Sequence, residues 1–86
     1  MVTDDAIVAA ICRILSAAKT RHYVVTARGV MRELGAEIRH GRLRAVLRRY
    51  GFKYVRAGTP DVAKYVVDVE SARTICQKME KKKSLF

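Results

Sequence analysis

Apolar residues near the start of the chain recur every three or four positions. The series comprises Ile7, Ala10, Ile11, Ile14, Leu15 and Ala18, with Cys12 at its border. This spacing places the series on one side of an α-helix, and Thr3 followed by Asp4 and Asp5 is typical of a helix N-terminus. The pattern predicts a first helix over about residues 4–19, with the apolar stripe in the core.

Two shorter helical segments follow a β-branched link. Thr26 is a good N-cap for a helix over residues 27–34, which Gly35 can end by adopting a left-handed conformation. A tight turn then leads to a third helix over about residues 38–50, ended in the same way by Gly51. The core-facing residues of the two helices are predicted to be Val30, Met31, Leu34, Leu43, Val46, Leu47 and Tyr50. Two helices joined by so short a turn predict a helix-turn-helix arrangement.

A β-hairpin is predicted after the third helix. Two β-prone runs, the first alternating apolar and basic residues and the second β-branched and aromatic, flank the turn formers at residues 57–61. The runs predict a hairpin over about residues 52–69. Tyr54 and Tyr65 are expected to pack against each other across it rather than to stack on bases. Tyr23 is the one aromatic residue predicted to be exposed.

A closing helix completes the predicted domain. Asp68 can cap a helix over about residues 69–81. Its inward side would consist of Ala72, Ile75, Cys76 and Met79, and residues 82–86 are predicted to form a frayed tail. The chain shows no repeat or linker, so we expect one α+β domain over residues 1–86.

Basic residues are concentrated in the middle of the chain. Residues 19–56 contain eleven Lys or Arg against Glu33 and Glu37, a local balance of +9 in a chain of net charge +10. This block includes the predicted helix-turn-helix, so the charge belongs to a folded module rather than a loose tail. A folded basic face of this kind indicates a nucleic-acid partner.

The third predicted helix separates apolar from basic residues. Opposite its apolar side lie Gly41, Arg44, Ala45 and Arg48, with Arg42 and Arg49 at the flank. Short residues let a backbone approach another surface while the neighbouring arginines reach outward. Arg42 and Arg44 are the first candidates to read guanine, whereas most basic contacts are expected to reach phosphates. The complete predicted set is Arg28, Arg32, Arg39, His40, Arg42, Arg44, Arg48, Arg49, Lys53, Arg56 and Lys64.

The predicted order of helix, helix, turn, helix, hairpin and helix resembles a winged helix-turn-helix domain. The resemblance covers the chain from about Asp4 to Met79. It rests on Glu33-Leu34-Gly35-Ala36, on Ile38 and on the segment LRAVLRRYGF over residues 43–52. These stretches are similar to the helix-turn-helix core of many winged domains, in which a leucine and glycine end the second helix.

The resemblance implies a mode of docking to DNA. The helix over residues 39–50 would lie in the major groove, and the wing loop over residues 57–62 would touch the backbone or the minor groove. This loop departs from the common pattern because it has no Arg or Lys and contains Asp61. The residues expected to contact phosphate in its place are Lys53, Arg56 and Lys64.

Double-stranded DNA is therefore the expected partner, and a small transcription regulator or architectural protein is the expected role. The alternative is a winged-helix module that binds RNA or a partner protein within a transcription, replication or translation assembly. A homodimer is expected to use apolar residues of the first and last helices, namely Ile7, Ile11, Ile75, Met79, Leu85 and Phe86. The chain lacks a Gly-rich phosphate loop and a carboxylate pair suited to acid–base chemistry, so no enzyme is predicted.

Cys12 and Cys76 lie far apart, each within an apolar helical pattern, so buried thiols are predicted in preference to a disulfide. A composition with no Asn, one Gln and eleven Arg leans weakly towards a thermophile, and this keeps an intracellular disulfide as the alternative. The two cysteines and two histidines lack zinc-site spacing, so neither metal nor cofactor is predicted.

A cytoplasmic location without a membrane partner is also expected. No apolar run approaches the ~18 residues that span a bilayer. The acidic Asp4 and Asp5 near the start differ from the positive segment that opens a secretory signal.

Overall fold

The computed structural model describes residues 2–58 and 64–84, and for His40 and residues 80–84 it describes the backbone only. These ranges form a small α+β domain with four helices and a three-stranded antiparallel sheet. The helices are α1 (Asp4–Ser16), α2 (Ala27–Leu34), α3 (His40–Arg49) and α4 (Val69–Ser84). The strands are β1 (His22–Thr26), β2 (Tyr54–Ala57) and β3 (Lys64–Asp68).

The three predicted helix caps are confirmed. The Thr3 hydroxyl accepts the Ala6 amide at 3.2 Å, and the Thr26 hydroxyl accepts the Gly29 amide at 2.9 Å. The Asp68 carboxylate accepts two amides in the first turn of α4, at 3.0 and 3.4 Å. Each cap satisfies amides that have no partner within the helix.

The turn between α2 and α3 is longer than the sequence predicts. Gly35 ends α2 as expected, with a φ of 69° and an amide that donates to the Met31 carbonyl at 2.8 Å. Helix α3, however, begins at His40 because Arg39, its N-cap, has extended backbone. The Arg39 side chain makes no capping bond.

The sheet contains a strand that the sequence pattern does not predict. β1, which lies in the expected link, pairs antiparallel with β3, and β3 pairs with β2, so the strand order is β1-β3-β2. Val25 of β1 lies opposite Tyr65, forty residues later in the chain. Pairing over such a separation depends on the tertiary fold, and five residues carry too little pattern to indicate it.

One hydrophobic core joins the helices to one side of the sheet. Its fully buried residues include Ile7, Ile11, Leu43, Leu47 and Val67. The predicted apolar sides of α1 and α3 are confirmed in their main members. Other residues of the four helical segments that were predicted to face inward are partly buried around the core, including Ile14, Ala18, Met31, Leu34, Tyr50, Ile75 and Met79. The expected contact between Tyr54 and Tyr65 is also present, edge to face with ring centres 5.5 Å apart.

Cys12 and Cys76 form a disulfide between α1 and α4, so the prediction of free thiols is wrong. The Cα atoms are 5.9 Å apart, within the range that a disulfide spans. A buried free cysteine and a disulfide-bonded cysteine give the same apolar helical pattern in the sequence. Only the packing of α1 against α4 distinguishes the two.

Two helix ends and one predicted surface also need correction. α1 ends at Ser16 rather than near residue 19, and α4 continues to Ser84, through part of the predicted tail. Ile7 and Ile11 have no exposed surface, so they are unable to form the proposed contact between two copies. Residues 85 and 86 lie outside the described ranges. Within those ranges, no helix has both the length and the apolar character needed to cross a bilayer.

Candidate nucleic-acid interface

The outward side of α3 carries an open depression formed by short and basic residues. Its lining residues are Gly41, Arg44, Ala45, Arg48 and Arg49, and all five are exposed. The buried side of the same helix holds it in the core through Leu43, Val46 and Leu47. The helix is therefore fixed on one side while its other side is available to a partner.

Gly41 is not required by packing within the described part of the protein. Apart from its chain neighbours and the backbone of its own helix, a Cβ atom at this position would have no atom within 4 Å. Glycine lowers the stability of a helix by about 0.5–1 kcal/mol relative to alanine. A helix that carries this cost without an internal contact to explain it has a surface suited to close approach by another molecule.

Arg42, predicted to be a base reader, is not among the residues that line this depression. Its guanidinium donates to the Val2 carbonyl and to the Asp4 carboxylate, the latter at 3.3 and 3.4 Å. Only 36% of the Arg42 side chain is exposed. Arg42 thus joins α3 to the start of α1, which leaves Arg44 as the leading candidate for base contact.

Two carboxylates of α1 hold α3 in place. Asp4 also binds Arg49, at 3.2 Å, and Asp5 accepts the Tyr50 hydroxyl at 2.8 Å. The hydrogen bond to Asp5, followed by desolvation and the two carboxylate charges, raises the pKa of Tyr50 above its usual value of 10.0. The Arg49 side chain remains 75% exposed, so it can exchange Asp4 for an external anion.

Helix α2 contributes a second exposed basic pair. Arg28 and Arg32 are exposed and lie one helical turn apart. Glu33, which follows Arg32 in the chain, binds Arg13 of α1 at 2.8 Å. Across the described residues, neither Arg28 nor Arg32 forms an ion pair.

The three basic residues predicted to contact phosphate from the hairpin lie on different sides of the sheet. Lys64 precedes the buried Tyr65, and Lys53 precedes the inward-facing Tyr54, so alternation places both lysines on the side away from the core. Arg56 lies opposite Tyr65 and therefore on the helical side, where it is exposed. The structure thus brings Arg56, but not the two lysines, to the helical side.

Arg39 is exposed beside the first turn of α3. His40 is the first residue of that helix, and its side chain is not among those described. Of the predicted wing loop over residues 57–62, the part from residue 59 onward, which includes Asp61, lies outside the described residues. No cluster of three or more potential metal-binding side chains occurs in the part of the chain that the structure describes.

Sequence reasoning missed the role of Asp4 and Asp5 at this interface. Their position at the start of α1 indicated only a favourable interaction with the helix dipole. Their partners on and beside α3 lie 38 and 45 residues later in the chain. The only available signal was the scarcity of acids, since the chain has eight Asp and Glu against eighteen Lys and Arg.

In comparisons with known proteins, no family model matches the chain, and neither a curated protein nor a solved structure matches it at a significant level.

Proposed function

We propose that this domain is a winged helix-turn-helix that binds double-stranded DNA with α3 in the major groove. The order α1-β1-α2-α3-β2-β3-α4 supports the proposed architecture. In that arrangement α2 and α3 are the two helices of the helix-turn-helix, and β2 and β3 are the strands of the wing. A small transcription regulator or architectural DNA-binding protein is the role that fits this architecture.

The observation that carries the proposal is the outward side of α3. Gly41 and Ala45 leave room for the helix to approach a groove, and Arg44 and Arg48 extend beside them without an ion pair among the described residues. Arginine can form two hydrogen bonds to guanine O6 and N7 or bind a phosphate. A solvent-facing helix without a partner would more often mix Glu and Lys, whereas α3 contains no acid.

The second helix supports the same orientation. In a helix-turn-helix, the helix that precedes the recognition helix crosses the DNA backbone. Arg28 and Arg32 are exposed on α2, and neither is neutralised by a carboxylate in the described ranges. They would contact phosphates beside the groove that α3 enters.

The decisive experiment compares three nucleic acids. Fluorescence anisotropy would measure binding to duplex DNA, to single-stranded DNA and to duplex RNA of matched length, between about 50 and 200 mM salt. We expect duplex DNA to bind most tightly. We also expect affinity to fall steeply with salt because several phosphate counterions are released.

A preference for duplex RNA, or equal binding to all three, would contradict the proposal. A-form RNA has a deep, narrow major groove that a helix does not enter. Such a result would favour an RNA-binding or protein-binding module that uses the same basic surface.

Asp4→Asn is expected to strengthen DNA binding while it weakens the fold. The change releases Arg42 and Arg49 for phosphates, and we expect an affinity gain of roughly twofold to tenfold, in line with exposed ion pairs of about 0.2–1 kcal/mol each. The melting temperature should fall by about 4–8 °C for each kcal/mol lost. Anisotropy and thermal unfolding measure the two effects.

Asp5→Asn is the matched control for this prediction. It removes the same charge one residue away but leaves both arginine contacts of Asp4 in place. If the two variants gain equal affinity, the effect comes from net charge alone, and the inferred competition between Asp4 and DNA is wrong.

A further inference from the structure

The side of the sheet that faces away from the core forms a regular array of side chains. Strand register and alternation place three rows on this outer face. The middle row consists of Val24, Val66 and Val55, one from each strand. The row on one side contains Asp68 and the row on the other contains Lys64. Written in the strand order β1, β3, β2, the first row is His22, Asp68 and Lys53, the second is Val24, Val66 and Val55, and the third is Thr26, Lys64 and Ala57.

Both end members of the valine row, Val24 and Val55, are exposed. Val24 is 49% exposed and Val55 is 69% exposed, while Val66 between them is partly covered. Tyr23, Val24 and Val55 are the large hydrophobic residues that remain exposed in the described part of the protein. A row of three β-branched residues is suited to packing against another sheet.

The charges beside the row give this face a complementary pattern. Asp68 and Lys64 lie two residues on either side of Val66 on the central strand, and strand alternation assigns both to the outer face. One Asp68 oxygen, Oδ1, accepts the amides that begin α4. The other oxygen makes no hydrogen bond in the described ranges and is available to a cation.

We propose that this outer face is a docking surface for a second copy of the chain, with the two valine rows in contact. A two-fold axis along the valine row places each valine against its equivalent. The same axis places Asp68 of each copy against Lys64 of the other. The interface therefore contains an apolar centre and two opposite-charge pairs, which is the self-complementarity that a symmetric dimer requires.

The charges also disfavour a second symmetric arrangement. A two-fold axis along β3 would place Asp68 against Asp68 and Lys64 against Lys64. Like charges that face each other directly are destabilising. Of these two axes, the one along the valine row is compatible with both the apolar and the charged residues.

The array is small, so the contact should be weak. It covers roughly 240 Å² per copy, from three strands about 4.8 Å apart and five residues at about 3.3 Å each. A stable interface buries about 800 Å² on each partner. We therefore expect a dissociation constant on the order of 0.1 to 1 mM for the free protein.

This contact leaves the arginines of α2 and α3 uncovered, but it uses the face that carries Lys53 and Lys64, which the sequence analysis expected to contact phosphate. The valine row faces away from the core that holds α3, so the arginines of α3 remain available in both copies. Dimerisation is measured without DNA, and a failure of either proposal leaves the other open to its own test.

Sedimentation equilibrium of the full chain from about 10 µM to 1 mM, at 150 mM salt, tests the proposal. At that salt concentration the Debye length is about 8 Å, which limits the range of the repulsion between two chains of charge +10. We expect the average mass to rise towards that of a dimer. A mass equal to one chain throughout this range would overturn the proposal.

Val55→Asp locates the contact, because it places two carboxylates opposite each other on the axis. We expect it to weaken dimerisation at least tenfold. Thr74→Asp, at an exposed position of α4, adds the same charge elsewhere and should leave the dissociation constant within twofold. Equal dissociation constants for the two variants would show that any dimer uses another surface, and this too would overturn the proposal.

Two further variants keep the test valid if Val55→Asp disturbs the edge strand. Val55→Thr retains the β-branched shape and is expected to weaken the dimer severalfold. Lys64→Glu places Glu opposite Asp68 and should weaken the dimer more than Val55→Thr does. In an equal mixture with the unaltered chain, the weakening should be intermediate. A mixture that dimerises as tightly as the unaltered chain would contradict the proposed pairing.

Discussion

Duplex DNA is expected to bind the double variant Arg44→Ala, Arg48→Ala roughly a hundredfold more weakly than the unaltered chain, since each arginine contact is worth about 1–3 kcal/mol. Both side chains lie on the exposed side of α3, and neither contributes to the core. The loss should therefore appear in binding and leave the melting temperature almost unchanged. Anisotropy and thermal unfolding of the same preparations measure both quantities.

Salt dependence distinguishes what each arginine contacts. Removal of an arginine that binds phosphate should reduce the slope of log affinity against log salt concentration by about 0.9. A residue that reads a base should leave the slope unchanged and reduce the difference in affinity between DNA sequences. Because Arg44 is nearer the N-terminal end of α3, we expect Arg44→Ala to affect sequence preference more than Arg48→Ala.

The matched control is the double variant Arg73→Ala, Lys78→Ala on α4. It also removes two positive charges from exposed positions of a helix. Its effect on DNA affinity should be several times smaller than that of the α3 variant. Equal losses would mean that DNA responds to the total charge of the protein and would reject α3 as the recognition helix.

Loss of the disulfide is expected to produce the largest change in stability. Cys12 and Cys76 are separated by 64 residues. Closing a loop of this length in the unfolded chain corresponds to about 4 kcal/mol at 25 °C in the chain-entropy description. The double variant Cys12→Ala, Cys76→Ala should therefore lose about 4 kcal/mol of unfolding free energy and about 15–30 °C in melting temperature.

Chemical denaturation with and without a thiol reductant measures this contribution. The reductant should lower the stability of the unaltered chain and have no effect on the double variant. DNA affinity of the double variant should be retained at temperatures where it is folded, because the bridge joins α1 to α4 and the arginines lie on α3. An unchanged unfolding free energy on reduction would show that the bridge does not constrain the unfolded chain.

The disulfide also bears on the expectation about source and compartment. Disulfides persist in oxidising compartments and in the intracellular proteins of hyperthermophiles. The scarcity of Asn and Gln and the abundance of Arg favour the second setting for this chain. A location in the cytoplasm of a thermophile remains a prediction.

Local patterns were sufficient to predict the four helices and the residues that cap the N-termini of three of them. Thr3, Thr26 and Asp68 were identified as caps because a cap depends on a side chain and amides only two or three residues away. The buried residues Leu43 and Leu47 followed from helical spacing alone. These features are encoded within one or two turns of chain, where a single sequence is most informative.

Contacts between distant parts of the chain were not predictable in the same way. β1 forms only because β3 lies beside it, and the cysteines meet only because α4 packs on α1. Arg42 illustrates the consequence for the site. Its position on the helix suggested an outward arginine, yet the start of α1 lies close enough to bind it.

The sequence by itself determined the apolar sides of the helices, their caps and the concentration of positive charge in the centre of the chain, because each depends on neighbouring residues. The tertiary structure decided which of those charges are available. Arg13 forms an ion pair with Glu33, and Arg42 forms one with Asp4, whereas Arg44 and Arg48 remain exposed beside Gly41. Pairing of charges requires side chains to come within about 4 Å, and only the packing of α1 against α2 and α3 sets those distances.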